Sequence, residues 1–209
     1  MTKIILDKAG RRFNNDWIFK NVSCEFTQGN VYGIIGNNGS GKSTLLQVLT
    51  SQLMVSEGTC TFIQNNQPYD SDQWYKNYSF ASPYLQVFEE YSLTELLTFH
   101  NAIKPFYAHL SIPIITEKLN LTKQRNKAIR YYSSGMKQRV KLALALYSNT
   151  PVLLLDEPTS NLDAQNITWF QQQLQEYSIN RLVVIASNSI DSELFLCKQI
   201  ININEYKNV

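Results

Sequence analysis

Long apolar runs are missing from this 209-residue chain. The longest candidates, at 31–35 and 152–155, are short and interrupted, whereas crossing a bilayer takes about 20 consecutive apolar residues. The sequence therefore predicts no membrane span. Residues 1–7 lack the extended apolar stretch and small-residue cleavage site of a signal peptide, so the N-terminus is expected to be part of the fold and the chain to be cytoplasmic. Cysteine is scarce: Cys24, Cys60 and Cys197 are odd in number and widely scattered, which excludes a disulfide framework and a zinc site. The formal charge is only +2, with 19 basic against 17 acidic residues and no basic stripe, so nothing in the electrostatics calls for nucleic acid. Internal repeats and low-complexity tracts are absent too.

What remains is ordinary for a folded domain: 44% hydrophobic and 17% charged residues, enough to build one core. A single α/β domain over 1–209 is expected. Alternation at 3–6 and 22–26, separated by the polar turn Asn14-Asn15-Asp16, predicts two strands of an antiparallel N-terminal layer. The run 31–35 reads as a buried strand, followed by a Gly-rich loop and helical spacing over 42–50. Helical patterns over 92–102 and 112–119, joined by polar connectors, predict an inserted helical subdomain at about 83–140, dividing a core of 1–82 and 141–209. Beyond it come a helix at 135–148, a strand at 152–155, a helix at 164–177 and a strand at 181–186. Helices alternating with buried strands predict a mainly parallel sheet covered on both faces.

Gly36-Asn37-Asn38-Gly39-Ser40-Gly41-Lys42-Ser43-Thr44 matches the phosphate-loop pattern G-x-x-x-x-G-K-[ST] without exception, in the required strand-to-helix context. The glycines let the loop wrap so that successive N–H groups face phosphate oxygens, and the following helix adds its positive end. Lys42 is expected to reach the β- and γ-phosphates, and the Ser43 hydroxyl to ligate Mg²⁺. A second acidic signal, Asp156-Glu157, ends the buried strand at 152–155 and so lies at the sheet edge where the loop opens. Asp156 suits the Mg²⁺ site; Glu157, turned differently, suits a general base or orienter for the attacking water.

Two further motifs carry a family resemblance over essentially the whole chain. Tyr132-Ser133-Ser134-Gly135-Met136-Lys137-Gln138-Arg139 resembles the signature of ABC-type ATPases, Leu-Ser-Gly-Gly-Gln followed by x-Gln-Arg, and Ser160-Asn161-Leu162-Asp163 resembles their D-loop. The resemblance implies the subunit that binds and hydrolyses ATP to power a separate transmembrane permease. It also implies an ATP-dependent head-to-tail homodimer in which Ser133 and Gly135 of one chain face nucleotide held by the phosphate loop of the other. An aromatic near the N-terminus is implied for the adenine, where Phe13 fits best and Trp17 is the alternate. A glutamine at the metal is implied as well, for which Gln86 is the candidate.

The chain departs from that pattern in three places. Ser134 replaces the first signature glycine, Met136 replaces the signature glutamine, and Asn188 in Ala186-Ser187-Asn188 stands where the family has a switch histidine. Asn188 can hydrogen-bond a phosphate oxygen but cannot carry a proton, so turnover is expected to be slow. His100 and His109 lie in the helical region and are expected to pack, not to react. Among ABC subunits the chain looks most similar to small exporter subunits such as those of haem export and cytochrome c maturation. A non-transport ABC ATPase and an ATP-binding switch of negligible turnover are the competing expectations.

Overall fold

The computed structural model describes residues 1–188 and 190–207. Two long strands, β1 (Thr2–Phe13) and β2 (Asp16–Thr27), form a hairpin whose turn is closed by Asn14 at φ 53°, a left-handed conformation that asparagine tolerates well. With β4 (Glu57–Gln64) and β5 (Gln67–Tyr69) they make a four-stranded antiparallel sheet in the order β2-β1-β4-β5. The second sheet is parallel and has the order β6-β7-β8-β3-β9. Its strands are β3 (Val31–Ile35), β6 (Tyr78–Ala81), β7 (Val152–Asp156), β8 (Leu182–Ser187) and β9 (Gln199–Asn202).

Side-chain alternation along the parallel strands divides the interior in two. Val152, Leu154, Leu182 and Val184 face the antiparallel layer and helix α1 (Lys42–Leu49), packing with Ile4, Phe19, Phe26 and Leu45. Leu153, Leu155, Val183 and Ile185 face the opposite side, against α4 (Ser134–Tyr147) and α5 (Ala164–Tyr177). The same parity matters for the site: Asp156, two residues beyond Leu154, emerges on the α1 side.

Helices α2 (Leu93–Ile103) and α3 (Ile112–Lys118) occupy the connection between β6 and β7. A capping box starts α2, with the Ser92 hydroxyl accepting from the Glu95 N–H and the Glu95 carboxylate accepting from the Ser92 N–H at 2.8 Å. The expected boundary near 140 falls inside α4. Leu96, Ile115 and Leu119 of the helical stretch share one continuous core with Val140 and Leu155, so the helices close the same core as the sheet. The short helix α6 (Asp191–Leu194) completes the fold and was not foreseen from the sequence; nor were β4, β5, β6 and β9. No helix among the described residues is long and apolar enough to cross a membrane.

Both histidines are engaged in packing. His100 Nε2 lies 2.8 Å from the Ser148 hydroxyl and its ring stacks on Phe106, while burial drives its pKa down to about 4. His109 stacks beside Tyr107 and Tyr177. The three cysteines are free thiols, and burial pushes Cys24 and Cys60 up to about 12, far from the range where a thiolate would react.

Candidate nucleotide site

The phosphate loop runs from the end of β3 into α1, and its glycines are conformationally required. Gly41, the cap of α1, sits at φ 108°, and a Cβ there would lie 2.5 Å from Ile18 Cγ2; one at Gly36 would lie 2.5 Å from the Ser40 hydroxyl oxygen. The loop wraps a pocket of about 330 Å³ lined by residues 38–44 together with Ile18, Tyr84 and Glu157. Asn37 and Asn188 border an adjoining pocket of about 380 Å³ with Asn202 and Asn204.

Lys42 is 4% exposed, and each of its three ammonium protons has an acceptor: Gly36 O at 2.9 Å, Asn37 O at 3.1 Å and Asn188 Oδ1 at 2.6 Å. Burial lowers its pKa, an effect that Glu157, Asp156 and Glu193 oppose. Asn188 in turn donates through Nδ2 to Glu157 Oε1 at 2.8 Å. The two partners fix the amide's orientation, because an ammonium only donates and a carboxylate only accepts. Lys42, Asn188 and Glu157 thus form one hydrogen-bonded chain across the mouth of the site.

Glu157 adopts φ 42°, a left-handed conformation that costs a non-glycine residue about 1 kcal/mol. Its N–H is held by Ala186 O at 2.9 Å, and the turn sends its carboxylate toward Asn188 instead of continuing the strand. Asp156 is 2% exposed, and its Oδ1 is buried with no partner among the described residues. Burial raises its pKa; a hydrogen bond with Ser43 works in the other direction. An unpaired buried carboxylate beside a serine hydroxyl fits a divalent cation, whose charge would offset the desolvation cost. These are two of the three residues expected to hold Mg²⁺, Gln86 being the third.

Ser133 caps α4, its hydroxyl accepting from the Met136 N–H at 3.2 Å, and is exposed along with Ser134. Neither Ser133 nor Gly135 lines the phosphate-loop pocket of its own chain. A Cβ at Gly135 would come 3.3 Å from Asn161 O, so the signature turn and the D-loop touch directly. Met136, half-buried, packs one side against the core where the family has a glutamine.

Two expected site residues lie elsewhere. Gln86 lines a separate, mainly apolar pocket of about 250 Å³ with Leu85, Phe88 and Phe99, away from Ser43 and the phosphate pocket. The connection that carries it turns at Ser82, which brings Tyr84 to the phosphate pocket and leaves Gln86 facing the groove. Phe13 is 45% exposed at the hairpin end, stacked by the Arg11 guanidinium at 4.6 Å, and lies outside the phosphate pocket. Trp17 lies outside it as well; strand alternation turns its neighbour Ile18 inward instead. Sequence reading missed Tyr84 and Glu193. Glu193 is fully buried on α6, and its Oε1 accepts from the Thr159 N–H at 2.9 Å and hydroxyl at 2.7 Å, fixing the turn after Glu157. No motif flagged either residue.

A parallel sheet with a glycine-wrapped anion cradle, a buried lysine and two carboxylates at one edge defines a phosphate-loop nucleotide-binding domain. Comparison with known proteins narrows this further. The sequence model of the ABC transporter family matches residues 19–160, and the chain belongs to that family. It is 27% identical over 195 residues to the uncharacterized ABC transporter ATP-binding protein YybJ of Bacillus subtilis, covering 93% of this chain and 89% of that one. It is also 27% identical over 182 residues to the lantibiotic transport ATP-binding protein SrtF of Streptococcus pyogenes, covering 85% and 76%. Among solved structures, a dimeric ATP-binding cassette in a post-hydrolysis state with ADP and Pi superposes with a TM-score of 0.79 at 21% identity, over 98% of this chain and 95% of that one. That likeness shows the shared ABC ATPase fold.

Proposed function

We propose that this chain is the ATP-hydrolysing subunit of an ABC exporter, working as a head-to-tail homodimer on the cytoplasmic face of a separate membrane permease. The observation that carries the reading is the convergence of Lys42, Ser43 and Glu157 on one glycine-wrapped pocket, with Asp156 hydrogen-bonded to Ser43 beneath it. The ATP phosphates replace some of the acceptors that now occupy Lys42, and the backbone N–H groups of residues 38–44 cradle them. Ser43 and Asp156 would hold Mg²⁺, which would supply positive charge to offset that of the phosphates. Glu157 takes up the proton of a water whose oxygen attacks the γ-phosphorus, while the bond to the bridging oxygen breaks and ADP leaves. Asn188, bonded to Glu157, keeps the carboxylate aimed; lacking an ionisable group, it makes turnover slow. The exposed Phe13 ring supports the adenine by stacking.

The dimer is supported by the position of Ser133 and Gly135, exposed or half-exposed and outside their own chain's pocket, where they are free to face a second copy's nucleotide. A permease is supported by the surface beside the β6–α2 connection. Phe88, Tyr91 and Phe99 form a cluster with ring centroids 5.3 to 6.0 Å apart, and all three rings are at least 36% exposed. Resemblance to small exporter subunits supports the direction of transport.

Glu157→Gln tests the reading. The variant should bind MgATP, lose phosphate release and elute as a dimer in size-exclusion chromatography under saturating MgATP, while the wild type returns to monomer. A variant that hydrolyses at the wild-type rate removes Glu157 from the chemistry, and one that stays monomeric removes the sandwich.

A further inference from the structure

We infer that Tyr84 reads the terminal phosphate, its hydroxyl donating a hydrogen bond to bound ATP that bound ADP cannot accept. This rests on the nucleotide reading above and adds to it the residue that separates triphosphate from diphosphate. Tyr84 is the one side chain of the β6–α2 connection that lines the phosphate pocket, in company with Lys42, Ser43 and Glu157. Its approach is set by strand order. β6 pairs with β7 with Ala81 opposite Leu155, so the chain leaves the sheet beside Asp156 and Glu157. Ile18, from the hairpin of the other sheet, closes the pocket from a different element. Tyr84 shares the pocket with Glu157, the carboxylate assigned above to water activation.

Packing does not account for the ring. Tyr84 is 84% exposed, and its hydroxyl has no hydrogen-bond partner among the described residues. The backbone beneath it is nonetheless fastened. The Tyr84 N–H donates to the Ser82 hydroxyl at 3.3 Å, the Leu85 N–H to Ser82 O at 3.2 Å, and Lys141 of α4 donates to Pro83 O at 2.6 Å. An anchored stem therefore carries a free phenol at the mouth of an anion cradle. A neutral hydroxyl there donates to a phosphate oxygen without adding charge beside Asp156 and Glu157, and a bond to an ionised acceptor is among the stronger kinds. The next residues, Leu85 to Phe88, turn to the apolar groove, so the connection that touches the phosphate also lines the surface assigned to the permease.

The test is calorimetric titration of wild type, Tyr84→Phe and Tyr84→Ala with MgADP and with the non-hydrolysable analogue MgAMP-PNP. Loss of the hydroxyl should weaken AMP-PNP about tenfold and leave ADP within about twofold, the scale of one hydrogen bond to a charged group. Both variants should melt with the wild type, because little area is lost at an exposed ring. Equal weakening of the two nucleotides, or no weakening of either, overturns the assignment to the terminal phosphate while leaving the nucleotide site intact. A wild-type chain that binds neither nucleotide overturns the reading on which the inference stands, and the inference with it.

Discussion

Replacing Asn188 by histidine is the perturbation that best separates what this site inherits from its family and what is its own. The Asn188 amide accepts from Lys42 at 2.6 Å and donates one N–H to Glu157 at 2.8 Å, leaving its second N–H without a partner among the described residues. That second N–H can donate to a phosphate oxygen, but it carries no titratable proton. An imidazole offers a longer reach and a proton that can be shared as negative charge redistributes on the γ-phosphoryl oxygens. Removing an entire transition-state donor costs ~10² to 10³ in kcat, and asparagine retains an N–H donor, so the gain from Asn188→His should be smaller, about tenfold, or ~1.4 kcal/mol. Asn188 is exposed, so the substitution should change stability by no more than about 0.5 kcal/mol. The assay is steady-state phosphate release at saturating MgATP. The expected result is kcat up about tenfold with KM within about twofold, since the loop backbone and Mg²⁺ provide most ground-state contacts. Equal kcat in a folded variant that still binds ATP would refute the argument and place the whole burden of water activation on Glu157.

Lys42→Ala should abolish nucleotide binding in calorimetry, because the buried ammonium that lines the phosphate pocket is lost. Asp156→Asn should raise the melting temperature of the nucleotide-free protein by a few degrees at neutral pH, for about 1–2 kcal/mol of relieved burial, while ending Mg²⁺-dependent turnover. The pH dependence of that gain follows from the raised pKa: it should be absent below the unfolded value of 3.8 and grow as pH rises through the native one, when the wild-type carboxylate becomes charged. For His100, held near 4 against 6.5 when unfolded, the native state resists protonation, so wild-type stability should fall as pH drops from 6.5 to 4; His100→Gln should flatten that limb of a pH–melting curve. Phe88→Asp, at a ring 57% exposed, should leave basal turnover and melting temperature intact and uncouple transport in reconstituted vesicles; a collapse in melting would instead make Phe88 part of the core.

The three central parallel strands and the long helices were legible because burial writes itself into sequence. β3 and β7 are short apolar runs next to loops, and α5 was expected over the residues it occupies. β4 was not, because Glu57, Gly58 and Thr59 begin it with exposed residues and its alternation at Cys60 and Phe62 is brief. It is a strand because β1 pairs with it, with Leu6 opposite Cys60 and Ile4 opposite Phe62. β9 and β6 sit at the two edges of the parallel sheet, where one neighbour supplies the hydrogen bonds and the sequence need not be uniformly apolar. Pairing energy of this kind is a property of the partner strand and leaves no local trace.

The site divides along the same line. Lys42, Ser43, Asp156 and Glu157 could be named from sequence because each is fixed by its own strand or loop, and the parity of β7 alone decides that Asp156 meets α1. Gln86 lies away from the phosphate pocket because its place depends on how a connection without regular structure turns. The hydrogen bonds of Ser82 and the Lys141–Pro83 contact set that turn, and Lys141 stands nearly 60 residues further along the chain. Glu193 was invisible for the same reason, since its partner Thr159 belongs to another element. Residue type in a motif is thus a sound guide where the backbone is regular, and a poor one in a loop whose course is set by distant anchors. The first group would carry the chemistry proposed for the phosphate-loop pocket. Asn188 and Tyr84, placed by loops, are where this chain's rate and its choice between ATP and ADP would be set.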